Sequence, residues 1–169
     1  MKCLSIRQPW AWLVCVGAKT IENRSWATTY RGVIAIHAGG YTKAVDELVS
    51  EEAAIPAVKR GLFAFGAIIG VAEIYDVLPL CESIRHDPWA EGPYCVMIRN
   101  AQLFVEPIPH KGRVNLCELP PDVSELVEGR RGNCVNVEAD KDIVACVEAI
   151  PCGPISQGFL RPSFRPSRM

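Results

Sequence analysis

Residues 17–24 read Gly-Ala-Lys-Thr-Ile-Glu-Asn-Arg, directly after the apolar run of residues 10–16. The apolar run predicts a largely buried helix, and Gly17 suits the position that follows its last turn. Two cations and one carboxylate therefore stand where the chain leaves the core and changes direction. These residues are Lys19, Glu22 and Arg24. Folding alone does not require such a compact charged cluster, which makes this stretch the first candidate for a ligand site.

The rest of the chain predicts short strands with interspersed helices. Strands are predicted over residues 3–6, 33–38, 64–78, 94–99, 103–108, 114–117 and 134–137. Helices are predicted over residues 10–16, 42–60, 119–127 and 140–150. Because strands and helices do not alternate regularly, the pattern indicates an α+β fold, a small mixed β-barrel with flanking helices.

The 169 residues are enough for one buried core, and with 49% hydrophobic residues the chain is too apolar to be disordered as a whole. We place a single domain over residues 1–152. Residues 153–169 show no periodicity and repeat Arg-Pro-Ser at 161–163 and 165–167. They predict an extended basic Pro/Arg/Ser tail, most simply a spectator to the domain.

Charge is unevenly distributed along the chain, although the formal net charge is only −1. Residues 1–40 contain five cations and one carboxylate, whereas residues 41–152 contain ten cations and eighteen carboxylates. The last seventeen residues contain three arginines and no carboxylate. Anionic ligands are therefore expected at the N-terminal third or the tail, because the local field matters more than the total charge.

The eight cysteines form no Cys-x-x-Cys pair and have no histidine at metal-finger spacing. Most lie in apolar runs, where cysteine acts as a small buried hydrophobe, so reduced thiols in a cytoplasmic protein are expected over an oxidised secreted one.

The N-terminal residues resemble a signal peptide, but Pro9 and two tryptophans suit its apolar region poorly. No segment reaches the ~20 apolar residues of a membrane helix. We predict no membrane association, no cofactor and no obligatory metal.

The spacing Gly-x-Lys-x-x-Glu-x-Arg within residues 17–24 resembles the signature of the ASCH domain family, a branch of the PUA-like folds. The resemblance extends to residues 4–10, Trp26, residues 30–32 and residues 36–38, and further to residues 92–94 and 107–112. It implies a PUA-like β-barrel with helices at its side. It also implies a cleft beside the barrel that is lined by the family's lysine, glutamate and arginine, here Lys19, Glu22 and Arg24.

Further ligand-binding candidates flank this motif. Arg7 precedes a helix whose first turn offers free N–H groups, so it is a candidate for binding phosphate or carboxylate, or else an ordinary surface arginine. Trp26 and Tyr30 are interleaved with Arg24 and Arg31. The aromatic rings could stack a base while the arginines bind phosphate, or they could plug one end of the barrel.

Glu73 is the single ionisable residue within the apolar segment 68–74. A carboxylate there either pairs with a cation or has its pKa raised, and Lys19 is the expected partner. The alternative is a glutamate at the barrel rim that reaches solvent. Lys19, Glu22 and Glu73 are thus the candidate catalytic residues. His37 is in phase with the inward residues of its strand and is either a satisfied core residue or a ligand-binding one.

Together these residues predict an RNA- or nucleotide-binding ASCH domain with a charged cleft beside the barrel. A small hydrolase of the same family is one alternative, either an acetylcytidine-type amidohydrolase or a ribonuclease. Glu22 stands where the amidohydrolases carry threonine, which leaves the enzyme question open. A protein-interaction adaptor is the other alternative, favoured by the acidic middle of the chain and the Arg-Pro-Ser tail.

Overall fold

The computed structural model of the chain describes residues 1–40 and 63–149. The described strands are β1 (Lys2–Ile6), β2 (Ile21–Arg24), β3 (Gly32–Ala38), β4 (Ala67–Pro79), β5 (Tyr94–Pro109) and β6 (Leu116–Glu118). The described helices are α1 (Trp10–Cys15), α2 (Pro121–Arg130) and α3 (Lys141–Ala149). The helix predicted over residues 42–60 and the tail of residues 153–169 lie outside the described residues.

The six strands form one mixed sheet in the order β2-β5-β4-β3-β1-β6. Strands β1 and β3 are parallel, and the other neighbours are antiparallel. Arg24 of β2 donates a hydrogen bond of 2.6 Å to the carbonyl oxygen of Ser5 on β1, although three strands separate β2 from β1 in the sheet. The sheet therefore curls into a half-barrel, and the predicted α+β fold with flanking helices is confirmed.

Different helices cover the two faces of the sheet. On one face, Leu4 and Ile36 belong to the same buried cluster as α1 and Ile143 of α3. On the other face, Cys3 and its neighbours pack with Val127 of α2. The alternation of side chains along a strand explains why adjacent residues enter different clusters. None of the described helices is both long and apolar enough to cross a membrane.

Three of the predicted strands differ from the structure. Residues 94–99 and 103–108 belong to one strand, β5, because Asn100 adopts a left-handed backbone (φ 49°) and shifts in the β4–β5 register absorb the irregularity. Residues 134–137 form no strand that closes the sheet, and their pairing is a single bridge between Cys134 and Phe104. The pairing stops there because residues 137–139 form a turn, in which the N–H of Asp140 donates to the backbone carbonyl oxygen of Asn136 at 3.2 Å.

Candidate functional site

An open cleft of about 1070 Å³ lies beside the ends of β1, β2 and β3. Its opposite wall is the segment of residues 110–115 between β5 and β6, here called the rim loop. Within the described part of the chain, five cations, two carboxylates and three tryptophans line this cleft. They are Arg7, Lys19, Arg24, Lys111, Arg113, Glu22, Glu91, Trp10, Trp26 and Trp89.

The motif that the sequence singled out forms a charged cluster at the floor of the cleft. Glu22 lies between the two cations, with one carboxylate oxygen 2.9 Å from Lys19 Nζ and the other 3.2 Å from Arg24. Lys19 is only 4% exposed, and its Nζ also donates to the carbonyl oxygen of Ile21. Its backbone N–H donates to Leu13 of α1 at 3.0 Å, which ties the cluster to the buried helix.

Arg24 holds three parts of the cleft together. Its guanidinium contacts Glu22 and the backbone of Ser5, and it lies 5.9 Å from the ring centre of Trp26. Trp26 is half-buried, so its ring forms part of the wall that a ligand would meet. Arg24 is therefore a structural link between β2 and β1 as well as a cation of the cleft.

Trp89 is a cleft residue that the sequence analysis missed. Its indole N–H donates to the carbonyl oxygen of Ala18 at 3.1 Å, and Lys19 Nζ lies 5.6 Å from its ring centre. Asn23 fixes the surrounding loop, since its amide donates to Trp89 O at 2.8 Å and its carbonyl oxygen accepts from the N–H of Glu91 at 3.0 Å. The one signal in the sequence was the family-like stretch of residues 92–94 that follows.

His37 supports the rim loop from below. It is 3% exposed, and its Nε2 lies 2.9 Å from the carbonyl oxygen of His110. Because a carbonyl oxygen only accepts, Nε2 carries the proton of the neutral ring. Burial lowers the pKa of His37 from its ordinary value, which favours this neutral form. Lys111 and Arg113 of the rim loop were not among the predicted site residues, although the resemblance included residues 107–112.

Unpartnered polar atoms gather around the cleft. Four buried side-chain nitrogen or oxygen atoms in the described residues have no hydrogen-bond partner, and three of them belong to cleft residues. These three are Ser5 Oγ, Arg24 Nε and His37 Nδ1. Buried polar groups are nearly always paired in folded proteins, so this concentration indicates a place where a ligand or water completes the hydrogen bonding.

Six of the nine predicted site residues line the cleft, and three do not. The six are Arg7, Lys19, Glu22, Arg24, Trp26 and His37. Tyr30 instead donates from its hydroxyl group to Val33 O at 2.8 Å. Arg31 forms an ion pair of 2.8 Å with Asp76 of β4. Both therefore contribute to the packing of β3 and β4 outside this cleft.

The expected pairing of Glu73 with Lys19 is wrong. Glu73 pairs with Arg99 at 2.6 Å and accepts a hydrogen bond from Asn100 at 2.8 Å. The register of β4 and β5 places Glu73 directly opposite Arg99, whereas Lys19 is already paired with Glu22. The hydrogen bonds from Arg99 and Asn100 lower the pKa of Glu73. Among the described residues, no group of three or more His, Cys, Asp or Glu side chains is placed to hold a metal ion.

Comparison with known proteins gives the family of this chain. The family model for the ASCH domain matches residues 4–105. The human and mouse proteins named activating signal cointegrator 1 are each 29% identical over 134 residues, which is 73% of this chain and 23% of theirs. The chain thus spans under a quarter of the length of these curated relatives.

Among solved structures, an ASCH protein from Zymomonas mobilis aligns with a TM-score of 0.46 and 16% identity, over 75% of this chain and 93% of that one. The assignment of the chain to a family rests on the family model, which matches more than half of its residues. This protein belongs to the ASCH domain family.

Proposed function

We propose that this ASCH domain binds single-stranded RNA in the cleft, with phosphates at the cationic rim and bases against the tryptophan side chains. The proposal rests on three cations at the rim of the cleft, here called the rim cations, and on their exposure and lack of described carboxylate partners. Arg7, Lys111 and Arg113 are exposed, they line one cleft, and no described carboxylate pairs with them. Exposed cations that converge on a concave surface without acidic partners favour an anionic ligand.

The interior and the rim of the cleft differ in their charge balance. The two interior cations, Lys19 and Arg24, share Glu22, so the three side chains together carry a formal charge of only +1. The rim cations have no such partner among residues 1–40 and 63–149, and their long side chains can follow the spacing of a phosphate backbone. Phosphate contacts of this kind supply most of the sequence-independent affinity for a nucleic acid.

The aromatic residues add a second mode of contact. Trp10 and Trp26 are half-buried and line the cleft, so their rings combine a fixed position with an exposed part. Stacking of one base on an aromatic side chain contributes about 1–3 kcal/mol and requires a base that is not already stacked in a duplex. The combination therefore favours a single strand.

The hydrolase alternative requires Lys19, Glu22 and Glu73 around one substrate. Glu73 pairs with Arg99 outside the cleft, and the carboxylate of Glu22 is held between two cations. A general base needs a carboxylate that can reach and accept the substrate's proton. Binding is therefore the function that we adopt.

The test is the salt dependence of RNA binding. Arg7→Ala, Lys111→Ala and Arg113→Ala should each weaken binding of a short fluorescein-labelled single-stranded RNA, measured by fluorescence anisotropy. Each lost phosphate contact should reduce the slope of log affinity against log salt by about 0.7. Lys141→Ala is the matched control, because Lys141 is exposed and forms no ion pair among the described residues, but does not line the cleft.

The control variant should bind as the unmodified protein does. Equal weakening by Lys141→Ala and by the three rim variants would mean that only net charge matters, and the cleft would not be the site. No binding at low salt by the unmodified protein would reject the proposal outright.

A further inference from the structure

Within the part of the chain that the structure describes, backbone hydrogen bonds and the His37 side chain hold the rim loop at one residue, His110. The N–H of His110, its first residue, donates to Gly66 O at 3.1 Å, and the carbonyl oxygen of His110 accepts from His37 Nε2 at 2.9 Å. Beyond His110, residues 111–114 form no backbone hydrogen bond with any other described residue. The position of these residues therefore depends on what they rest against.

Gly112 rests directly on the His37 ring. A Cβ atom at Gly112 would lie 2.4 Å from His37 Cε1, 2.7 Å from His37 Nδ1 and 3.0 Å from Ser5 Oγ. Ser5 and His37 are register partners on the parallel strands β1 and β3, so the platform beneath the loop belongs to the rigid sheet. Only glycine allows the loop backbone to come this close.

Lys111 and Arg113 flank Gly112 in the chain, so a loop that is held at Gly112 holds both cations. We propose that His37 is a positioning residue, which seats the rim loop through His110 and Gly112 and thereby fixes Lys111 and Arg113 over the cleft. Its effect on anionic ligands passes through these two cations. This inference rests on the proposed function for its consequence in RNA binding, but the seating of the loop can be tested without RNA.

The test compares two substitutions of similar size. His37→Phe keeps a ring and removes the donor to His110, whereas His37→Gln keeps an N–H donor at about the same reach. His37→Phe should lower RNA affinity and reduce the salt slope by up to about 1.4, the share of two phosphate contacts. His37→Gln should retain the slope of the unmodified protein. In a Lys111→Ala, Arg113→Ala background, His37→Phe should cause no further loss, because residues that act through one another are not additive.

Limited digestion with trypsin tests the contact of the rim loop with His37 directly. Trypsin cleaves after Lys111 and Arg113 only when the loop can leave the domain. Mass spectrometry should show faster cleavage at both sites in His37→Phe and in Gly112→Ala, because the methyl group added at position 112 would clash with His37 from the loop side. Cleavage of His37→Gln should be unchanged. Unchanged cleavage and salt slope in both a folded His37→Phe and Gly112→Ala would overturn the inference. If cleavage changes in these variants but the unmodified protein does not bind RNA, the proposed function is rejected, while the role of His37 in holding the rim loop stands.

Discussion

At the scale of single residues, Glu22 sets how much positive charge the cleft offers. Its side chain is 12% exposed and contacts both Lys19 and Arg24. In so sheltered a position the ion pairs are screened less by solvent and salt than surface pairs are. Removing one partner of a buried cluster leaves the other charges uncompensated. Glu22 therefore lowers the attraction for an anion while it stabilises the fold.

Glu22→Gln should raise the affinity for single-stranded RNA by a few-fold at low salt, because two cations lose their neutralising partner. The same change should lower the free energy of unfolding by about 1.5–3 kcal/mol, the range for a hydrogen bond to a charged group. Anisotropy titrations and urea denaturation measure the two effects. Glu91→Gln is the control, since Glu91 is an exposed cleft carboxylate for which no ion pair is formed within the described residues, and it should change stability little. Weaker RNA binding by a folded Glu22→Gln protein would contradict this role.

At the scale of elements, the packing of α1 against β4 positions the charged motif. Residues 11–15 of α1 are buried, and the chain enters the motif directly after Gly17, whose φ of +79° ends the helix as predicted. Gly70 of β4 lets the helix and the neighbouring strand approach closely. A Cβ atom there would lie 2.1 Å from Gln102 O of β5 and 2.8 Å from Cys15 Sγ of α1.

Gly70→Ala should therefore reduce the free energy of unfolding by about 1–3 kcal/mol, the usual cost of overpacking a core. Gly129→Ala is the matched control, because Gly129 lies in α2 and a Cβ atom there would meet nothing within 4 Å. Alanine stabilises a helix relative to glycine, so the control should be neutral or slightly more stable. Urea denaturation measures the free energy of unfolding of both variants. Equal stability of the two would show that β4 and β5 can move apart without an energetic cost, and would contradict the prediction.

At the scale of the whole molecule, the cleft continues into a second depression of about 520 Å³. The two share Trp26 and Asn115, and Tyr30, which does not line the cleft, lines the depression. A single nucleotide would fill only part of this combined surface. The shape is therefore better matched to a strand that passes over Trp26.

RNA affinity should accordingly increase with length from a mononucleotide to roughly four nucleotides and then level off, within the range of small single-strand binding domains. Trp26→Ala should abolish most of this increase, and Trp26→Phe should keep it, because phenylalanine still stacks. Anisotropy competition with unlabelled oligonucleotides of increasing length provides the measurement. A mononucleotide that competes as well as the longest strand would confine the ligand to the cleft.

The local features of this protein follow from its sequence. The buried helix ending at Gly17, the central strand β4 and the cluster of Lys19, Glu22 and Arg24 all depend on residues that are near one another in the chain. A sequence can show such features because they are local: the hydrophobic periodicity of a helix, a glycine that tolerates a positive φ, and ion pairs between residues a few positions apart.

The assembly of the cleft, in contrast, depends on strand order and register. Glu73 faces Arg99 because β4 pairs with β5 in that register, and no pattern within residues 68–74 specifies it. Trp89 lies beside Lys19, and the rim loop lines the same cleft, only because the fold brings segments together that are distant in the chain. Strand pairing is a non-local contact whose register is fixed by the packing of the whole sheet. The charged motif could thus be found in the sequence, while its neighbours across the cleft are a consequence of the tertiary fold.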